Sequence, residues 1–213
     1  MVKPKHLKIL HLISQRPDST GSGFYVQAMI REAAAHQHQN YLIAGIQSDQ
    51  PADLDCIKPE NCRFVRFGNA DISFPIVGMT DVMPYPSGRY SDLSNENIDE
   101  YRSAFSNALK DTVSQFSPDI IHSHHLWIVS SLAKQLFPQI PVVATCHSTD
   151  LRQYDKCPKI RELVLDGIRR CDGIMALSRI QKTEIMDVYN IPPQKVSVIG
   201  AGYNDALFKF RIK

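Results

Sequence analysis

Short apolar runs alternate along this chain with longer segments in which apolar residues recur at helical spacing. A strand that is apolar almost throughout is typical of a parallel sheet that is covered on both faces. The alternation therefore predicts an α/β fold, with a doubly wound, mainly parallel sheet, right-handed crossovers and helices on both faces. The predicted strands are 7–14, 40–47, 62–68, 119–125, 142–147, 173–178 and 196–202, and the predicted helices are 24–38, 95–116, 126–137, 158–171 and 179–190.

Two segments interrupt the alternation. Residues 69–94 contain three prolines and three aromatic residues but no sustained period, and a loop of that length in a compact domain is either disordered or functional. The aromatic and proline content favours an ordered excursion over the surface. Residues 148–157 are polar and are predicted to form a loop. We expect one domain over residues 1–213, a size that single α/β domains often reach.

Composition excludes several classes of protein. The net charge is +2 and no run of five or more Lys or Arg occurs, which argues against a nucleic-acid partner. No stretch approaches the roughly 18 apolar residues that span a bilayer, and the start of the chain has no signal-peptide pattern. The five cysteines form no C-x-x-C pair, so we expect reduced thiols and a cytoplasmic protein.

Glycine and polar residues follow the predicted strands at the point where each strand ends. Open parallel sheets bind ligands in the crevice at the carboxyl ends of their strands. We therefore predict that these distant residues meet along one rim of the sheet. They are Gly21, Ser22 and Gly23 after the first strand, His122 and His124, then His147, then Ser178, and the glycine-rich residues 200–202.

The Gly-Ser-Gly segment at 21–23 has two interpretations. Glycines before a helix let backbone N–H groups approach an anionic or hydroxyl-rich ligand at a positive helix terminus. Glycines are equally consistent with a tight turn. The segment is not the dinucleotide-binding fingerprint, because Val26 stands where the third glycine of that fingerprint would be.

Histidines crowd the end of the strand "DIIHSHH". Side chains alternate along a strand, so His122 and His124 share one face, while His125 is expected to begin the next loop or helix. A His-x-His pair can hold a metal, but only His147 offers a third ligand, and no metal site is expected. We interpret His122 as a buried, hydrogen-bonded strand residue and His124, one pleat further out, as the rim residue that contacts a substrate.

The stretch "ATCHSTDLR" places a mixed set of hydrogen-bond donors and acceptors after a central strand. His147, Ser148, Thr149 and Asp150 would suit sugar hydroxyls, although the last three could instead form a helix cap or an Asx-turn. A Ser-His-Asp hydrolase is not expected, because the chain has no G-x-S-x-G elbow. The chain has no Walker motif either.

These segments resemble the N-terminal half of a retaining glycosyltransferase of the GT4, or group 1, family, which has the GT-B fold of two Rossmann-like domains. The resemblance covers essentially the whole chain. Its "GSG" and "HSTDL" elements are similar to those of the family branch that contains the GlcNAc–malate transferase of bacillithiol synthesis. The resemblance to the family as a whole rests on five segments, "GSGFYVQAMIREAAAHQH", "PDIIHSHH", "VVATCHSTDLR", "GIMALSRIQK" and "VSVIGAGYNDALF".

The resemblance implies roles for individual residues. The segment 21–23 would lie beside the donor phosphates and the acceptor, and His147 would be the active-site histidine near the donor sugar. Asp150 would lie in the acceptor pocket, and the excursion 69–94, with Arg89, would be an acceptor-side flap. Gly202 and Asn204 would lie at the crossing between domains, although "GAGYND" departs from the Asn-Gly-Val-Asp run that is usual there.

The resemblance also implies a missing half. The donor site of the family has two glutamates separated by seven residues, and neither Glu162 nor Glu184 has a glutamate eight positions on. We therefore expect an acceptor-binding domain that is inactive alone, without the donor-binding domain and without a metal cofactor. Its partners would be a nucleotide-sugar donor and a sugar, small-molecule or lipid-linked acceptor.

Alternatives from other classes stay open at this point. One is a stand-alone flavodoxin-like domain that binds a sugar or a nucleotide without catalysis. Another is a metal hydrolase built on His122, His124 and His147. Peripheral association with the inner face of a membrane also stays open, although no strongly basic amphipathic helix stands out.

Overall fold

The computed structural model describes residues 6–202. The strands are β1 Lys8–Ile13, β2 Gln39–Gln47, β3 Cys62–Phe67, β4 Val77–Gly78, β5 Gly88–Arg89, β6 Ile120–His124, β7 Val142–Thr145, β8 Gly173–Ala176 and β9 Val196–Val198. Seven of them form a fully parallel sheet in the order β3-β2-β1-β6-β7-β8-β9, and the two short strands β4 and β5 pair with each other. The helices are α1 Gly21–Ala35, α2 Asn95–Phe116, α3 Ile128–Leu136, α4 Ser148–Lys156, α5 Pro158–Arg170 and α6 Arg179–Tyr189.

The strand order reverses between β1 and β6. The chain adds β2 and β3 on one side of β1, then returns to add β6 and the later strands on the other side. This is the doubly wound, Rossmann-like arrangement, and the crevice at the reversal is where such sheets bind ligands. The predicted fold class and the seven predicted strands are confirmed, with strand ends shifted by a few residues.

Apolar layers cover both faces of the sheet. Along β2, Leu42 and Ala44 pack into one cluster with Val26 and Ile30 of α1, while Ile43 packs into the larger cluster on the other face. This alternation follows from the two-residue repeat of a strand. Helices on both faces therefore bury the central strands, as the continuous apolar runs predicted.

Two predictions about local structure were wrong. The segment 21–23 is not a loop before a helix but the first turn of α1, which Thr20 caps by accepting a hydrogen bond of 3.0 Å from Gly23 N–H. Residues 148–157 are not a loop either, because Ser148–Lys156 form the helix α4. Asp150 lies in the first turn of α4, where a negative charge is favourable, and accepts a hydrogen bond from His147 N–H.

The excursion at 69–94 is ordered, as predicted, but it is anchored in the core and does not only cross the surface. Tyr90 is buried and contacts the rings of Tyr101 and Trp127. Ser94 caps the helix that follows, α2. Other buried side chains of the excursion are Ile72, Ile76, Val77, Met79 and Tyr85. The excursion is therefore a fixed wall beside the crevice.

Candidate functional site

A pocket of about 380 Å³ opens at the carboxyl ends of β1, β6 and β7, beside the reversal of strand order. Its walls come from distant parts of the chain. Gln15 and residues 19–22 form one side, and His125, His147 and Thr149 follow the strands β6 and β7. The excursion forms another side with Met79, Thr80, Met83 and Pro84. None of the side chains that line it is Asp, Glu, Lys or Arg. The predicted convergence of strand ends is therefore observed for the segments that follow β1, β6 and β7. Ser178 and residues 200–202, which were predicted to lie on the same rim, do not line the pocket.

The first turn of α1 reaches this pocket. A Cβ on Gly23 would lie 2.7 Å from the carbonyl carbon and oxygen of Pro17, so the helix can approach this loop only because residue 23 is glycine. Gly21 lines the pocket and has open space around its Cα. The N–H groups of Gly21 and Ser22 lie in the first turn of the helix, where no intrahelical carbonyl is available to them.

His125 is the site residue that the sequence interpretation missed. It follows β6 with a φ of 72°, in the left-handed region that few residues other than glycine adopt. The backbone turn directs its ring away from the other histidines of β6 and toward the pocket. His125 Nδ1 lies 2.6 Å from Asp150 Oδ1, and His125 Nε2 lies 3.1 Å from Ser22 Oγ.

Asp150 lies beneath the pocket and not in it, which corrects the expectation that it contacts an acceptor. Its side chain is fully buried and accepts hydrogen bonds from the N–H groups of Leu126 and His147 as well as from His125. Burial alone would raise the pKa of this carboxyl, but the charge and hydrogen bonds of His125 and the other donors lower it below its ordinary value. Asp150 is therefore an ionised anchor for His125.

The proton positions follow from these contacts. An ionised Asp150 only accepts, so His125 Nδ1 carries the hydrogen of that contact. His125 Nε2 faces the Ser22 hydroxyl at 3.1 Å and Gln15 Nε2 at 3.4 Å. Gln15 Nε2 donates to Ser22 Oγ over 2.6 Å, and Gln15 Oε1 accepts from Met79 N–H over 3.3 Å. The chain of hydrogen bonds thus ties the excursion to α1, β6 and α4.

These hydrogen bonds place Ser22, His125 and Asp150 in the order of a Ser-His-Asp triad, an arrangement that no sequence pattern predicted. The G-x-S-x-G elbow of a hydrolase is absent, so the exclusion of that class of enzyme stays a prediction. The shared hydrogen bonds hold Ser22 at the pocket wall.

His147 lines the pocket, as expected of a site residue. Burial and, to a smaller extent, the nearby His125 lower its pKa to about 3 against the opposing effect of Asp150, so the imidazole is neutral at pH 7. Its buried Nε2 has no hydrogen-bond partner within residues 6–202. The rings of Tyr25 and His147 are nearly perpendicular, with their centroids 5.6 Å apart.

The structure confirms the prediction for one of the two histidines of β6 and contradicts it for the other. His122 is buried and its Nε2 lies 2.8 Å from Thr145 Oγ1, which confirms the interpretation of a hydrogen-bonded strand residue. His124 is fully buried and does not line the pocket, so the prediction that it is the rim residue was wrong. His125, which has a left-handed backbone conformation directly after β6, lines the pocket instead of His124.

The remaining predicted residues lie away from the pocket lining. Ser148 is exposed at the start of α4, and Arg89 is exposed on β5, where its charge acts on Asp81. Gly202 is exposed, with a φ of 66° and open space around its Cα. Asn204 lies outside the described residues.

Two further structural findings bear on the class of protein. All five cysteines are free thiols, as expected. Among residues 6–202, no helix combines the length and the apolar character that crossing a lipid bilayer requires.

Comparison with known proteins identifies sequence relatives. Residues 19–207 match the family described as Glycosyltransferase Family 4. A D-inositol 3-phosphate glycosyltransferase of Thermobispora bispora is 29% identical over 140 residues, which cover 58% of this chain and 32% of that protein. The predicted family resemblance is thereby confirmed.

Solved structures share the fold at low sequence identity. Sucrose-phosphate synthase from Thermosynechococcus elongatus superposes with a TM-score of 0.61 at 18% identity, over 94% of this chain and 50% of that one. A lipopolysaccharide outer core galactosyltransferase superposes with a TM-score of 0.58 at 13% identity, over 91% of this chain and 45% of that one. The chain thus spans about half the length of these structures and a third of the curated relative.

Proposed function

The chain belongs to Glycosyltransferase Family 4, and on that premise we propose that it is the acceptor-binding half of a retaining glycosyltransferase. The whole enzyme would transfer a hexose from a nucleotide-sugar donor to a hydroxyl of a sugar, a small molecule or a lipid-linked acceptor. The observation that carries the proposal is the pocket in which Ser22, His125 and His147 converge at the reversal of strand order. Crevices of this kind are the usual ligand sites of such sheets.

The chemistry of the walls suits a hydroxyl-bearing ligand. The Ser22 and Thr149 hydroxyls, the Gln15 amide and the His147 imidazole all belong to groups that donate or accept hydrogen bonds without a net charge. Met83 adds an apolar surface on which the C–H face of a sugar ring could pack. Sugar hydroxyls require partners of both kinds, and an apolar wall beside polar groups is common in ligand pockets.

The two ends of the pocket suit different parts of the reaction. The first turn of α1, at Gly21 and Ser22, presents unsatisfied N–H groups at the positive end of a helix, which suits the phosphates of a donor. His147 is neutral at pH 7 and its Nε2 is unpaired within the described residues, so it is available to a hydroxyl of the donor sugar. We assign His147 the role of active-site histidine on this ground and on the family resemblance.

We further propose that these 213 residues do not turn over a substrate alone. Transition-state stabilisation in a two-domain cleft needs preorganised groups from both walls. The two solved structures described above are about twice as long as the part that this chain matches, which is consistent with a second half. The proposed transfer chemistry uses no metal cofactor.

The test uses the protein that contains these residues together with a second domain. We would incubate it with radiolabelled UDP-glucose, UDP-N-acetylglucosamine or GDP-mannose and a pool of sugar and polyol acceptors. We expect one donor to be consumed only when an acceptor is present, with the anomeric configuration retained in the product by NMR. His147→Ala should abolish transfer, while the control Ser148→Ala, at an exposed neighbour, should not.

The contrasting outcome points to another class of protein. A flavodoxin-like binding domain without catalysis would bind one of these nucleotide sugars and release it unchanged, with or without an acceptor. That result would overturn the transferase proposal.

A further inference from the structure

Three histidines form a buried layer beneath the pocket, on the two strands where the order of the sheet reverses. His11 on β1 is the register partner of His122 on β6, and His124 follows two residues later on the same face. One ligand nitrogen from each of these rings lies within 4.8 Å of the others. The sequence interpretation had considered His147 as the third ligand, and the structure puts His11 in that place.

The partner of His11 fixes which of its nitrogens is free. Asn40 Nδ2 donates to the carbonyl of His38, so Asn40 Oδ1 is the atom that faces His11 Nε2, at 3.0 Å. An amide oxygen only accepts, and His11 Nε2 therefore carries the hydrogen. This leaves a lone pair on His11 Nδ1, which is buried and has no partner within residues 6–202.

His122 is oriented in a similar way. Its Nε2 lies 2.8 Å from Thr145 Oγ1, which leaves Nδ1 as its second ring nitrogen. A histidine that binds a metal commonly gives its other ring nitrogen to such an outer partner, which fixes the tautomer and the ring direction. Asn40 and Thr145 stand in that relation to His11 and His122.

His124, unlike His11 and His122, has no outer hydrogen-bond partner among the described residues. It is fully buried, and within the described residues neither of its ring nitrogens has a hydrogen-bond partner. A neutral imidazole always carries one donor and one acceptor, and burying both without a partner is costly. Its ring centroid lies 4.5 Å from that of His122. A group that all three rings share would satisfy the unpaired nitrogens.

We propose that His11, His122 and His124 bind one divalent first-row transition metal ion, with zinc the best fit, as a clamp between β1 and β6. Imidazole nitrogens are preferred zinc ligands, and three histidines with one open position form a known type of zinc site. Zinc–nitrogen distances are about 2.0–2.1 Å, which puts ligand nitrogens about 3.4 Å apart in a tetrahedron. The ligand nitrogens, now within 4.8 Å of one another, would approach by up to about 1.4 Å. Water would take the remaining position.

Burial disfavours the protonated form of all three rings. It lowers the pKa of His11 to about 4 and that of His122 to about 3, and it lowers the pKa of His124 well below the ordinary value. The ring of His124 stacks on His147 at 5.9 Å, so the clamp would also steady the floor of the pocket.

The direct test is metal analysis of the untagged wild-type chain. We would purify it without chelators, measure bound metals by mass spectrometry, and then remove metal with pyridine-2,6-dicarboxylate. We expect about one zinc ion per chain, a Tm that rises by several degrees when zinc but not magnesium is restored, and a visible spectrum of nitrogen-coordinated cobalt after substitution. Metal-free wild-type protein whose Tm does not respond to zinc would overturn the proposal and leave a buried water as the shared partner.

Variants locate the ion. Asn40→Ala leaves every ligand in place and should weaken zinc binding about 10- to 100-fold through loss of the outer partner. His124→Asn should abolish binding, while His36→Asn, at an exposed histidine of the α1 C-terminus, should leave it unchanged. Stoichiometric zinc that survives both Asn40→Ala and His124→Asn would place the ion elsewhere and overturn the assignment. This result is independent of the transferase assay, since it does not use activity as a readout.

Discussion

Asp150 Oδ1 lies 2.6 Å from His125 Nδ1, and neither side chain is more than 2% exposed. This pair joins the first turn of α4 to the residue that follows β6, and through Ser22 it reaches the first turn of α1. Three elements that are distant in the sequence thus share one buried anchor.

We predict that Asp150→Asn destabilises the domain by about 3 kcal/mol, because removing one partner of a buried, hydrogen-bonded charge pair leaves the other groups unsatisfied. An asparagine has one acceptor oxygen, while the Asp150 carboxylate accepts from His125 and from the N–H groups of Leu126 and His147. The measurement is urea-induced unfolding at pH 7, followed by circular dichroism.

The matched control for this prediction is Asp155→Asn, because Asp155 is exposed on the same helix. It should change the free energy of unfolding by less than about 0.5 kcal/mol. A wild-type-like stability for Asp150→Asn would mean that the pair does not anchor the site.

The sheet could be predicted from the sequence because its strands are buried on both faces and so are apolar almost throughout. The helix α4 could not, because its residues are polar and its start depends on contacts made by Asp150 with His125 and Leu126, which are more than 20 positions away. Helix propensity depends on neighbouring residues in the sequence, so it does not indicate contacts between residues that are distant in the chain. The ordered excursion was predicted from its aromatic content, and its buried residues explain why that signal was sound.

The location of the site could be predicted from the sequence, but the residues that form it could not all be predicted. Alternation along β6 correctly separated His125 from His122 and His124, but it did not indicate that a left-handed residue would turn His125 into the pocket. The sequence signal that could have found it is a histidine directly after a predicted strand, since histidine is one of the residues enriched at positive φ. His11 was hidden in an apolar strand, and only the pairing of β1 with β6 brings it beside His122.

We predict opposite effects for alanine at the two glycines of the first turn of α1. Gly23→Ala would place a methyl group against the backbone of Pro17 and should cost about 1–3 kcal/mol, as overpacking does. Gly21→Ala meets open space within a helix and should stabilise the domain by about 0.5–1 kcal/mol, because glycine is the poorer helix former. Thermal unfolding of both variants and of the wild type would measure these two changes in stability.

Gly21→Ala is the internal control for this pair, since both substitutions add the same methyl group to the same helical turn. A stable Gly23→Ala variant would show that the loop at Pro17 yields easily, and the close approach would then not explain the glycine.

We predict that Ser22→Ala impairs the proposed transfer more than it impairs folding. The substitution removes the hydroxyl that accepts from Gln15 and shares a hydrogen bond with His125, which should cost about 1 kcal/mol of stability. It also removes a hydroxyl from the pocket wall, and kcat/KM of the two-domain protein should fall about tenfold. Steady-state kinetics with the donor that the transfer assay identifies would measure this.

The control is Ser148→Ala, whose hydroxyl is exposed and does not line the pocket. We expect its kcat/KM to stay within twofold of the wild type. Equal losses for the two serine variants would indicate that the fall does not arise from the pocket.

Acid should loosen the loop that precedes α1, because Asp18 holds Arg16 there through a hydrogen bond of 2.9 Å from Arg16 Nε. Partial burial tends to raise the pKa of Asp18, but the hydrogen bonds from Arg16, Asp53 N–H and Ser19 lower it by more, so the pKa lies below 3.8. A carboxyl with a lowered pKa in the folded state stabilises the protein above its unfolded pKa, and this stabilisation is lost as pH falls through the folded value.

Asp18→Asn should therefore be less stable than the wild type at pH 7, and the difference should shrink as pH falls below about 4. Urea unfolding of both proteins between pH 7 and pH 3 measures this difference, and Asp49→Asn, at an exposed carboxylate near the same loop, controls for the loss of one surface charge. A difference that stays constant down to pH 3 would mean that Asp18 does not act through its ionised form.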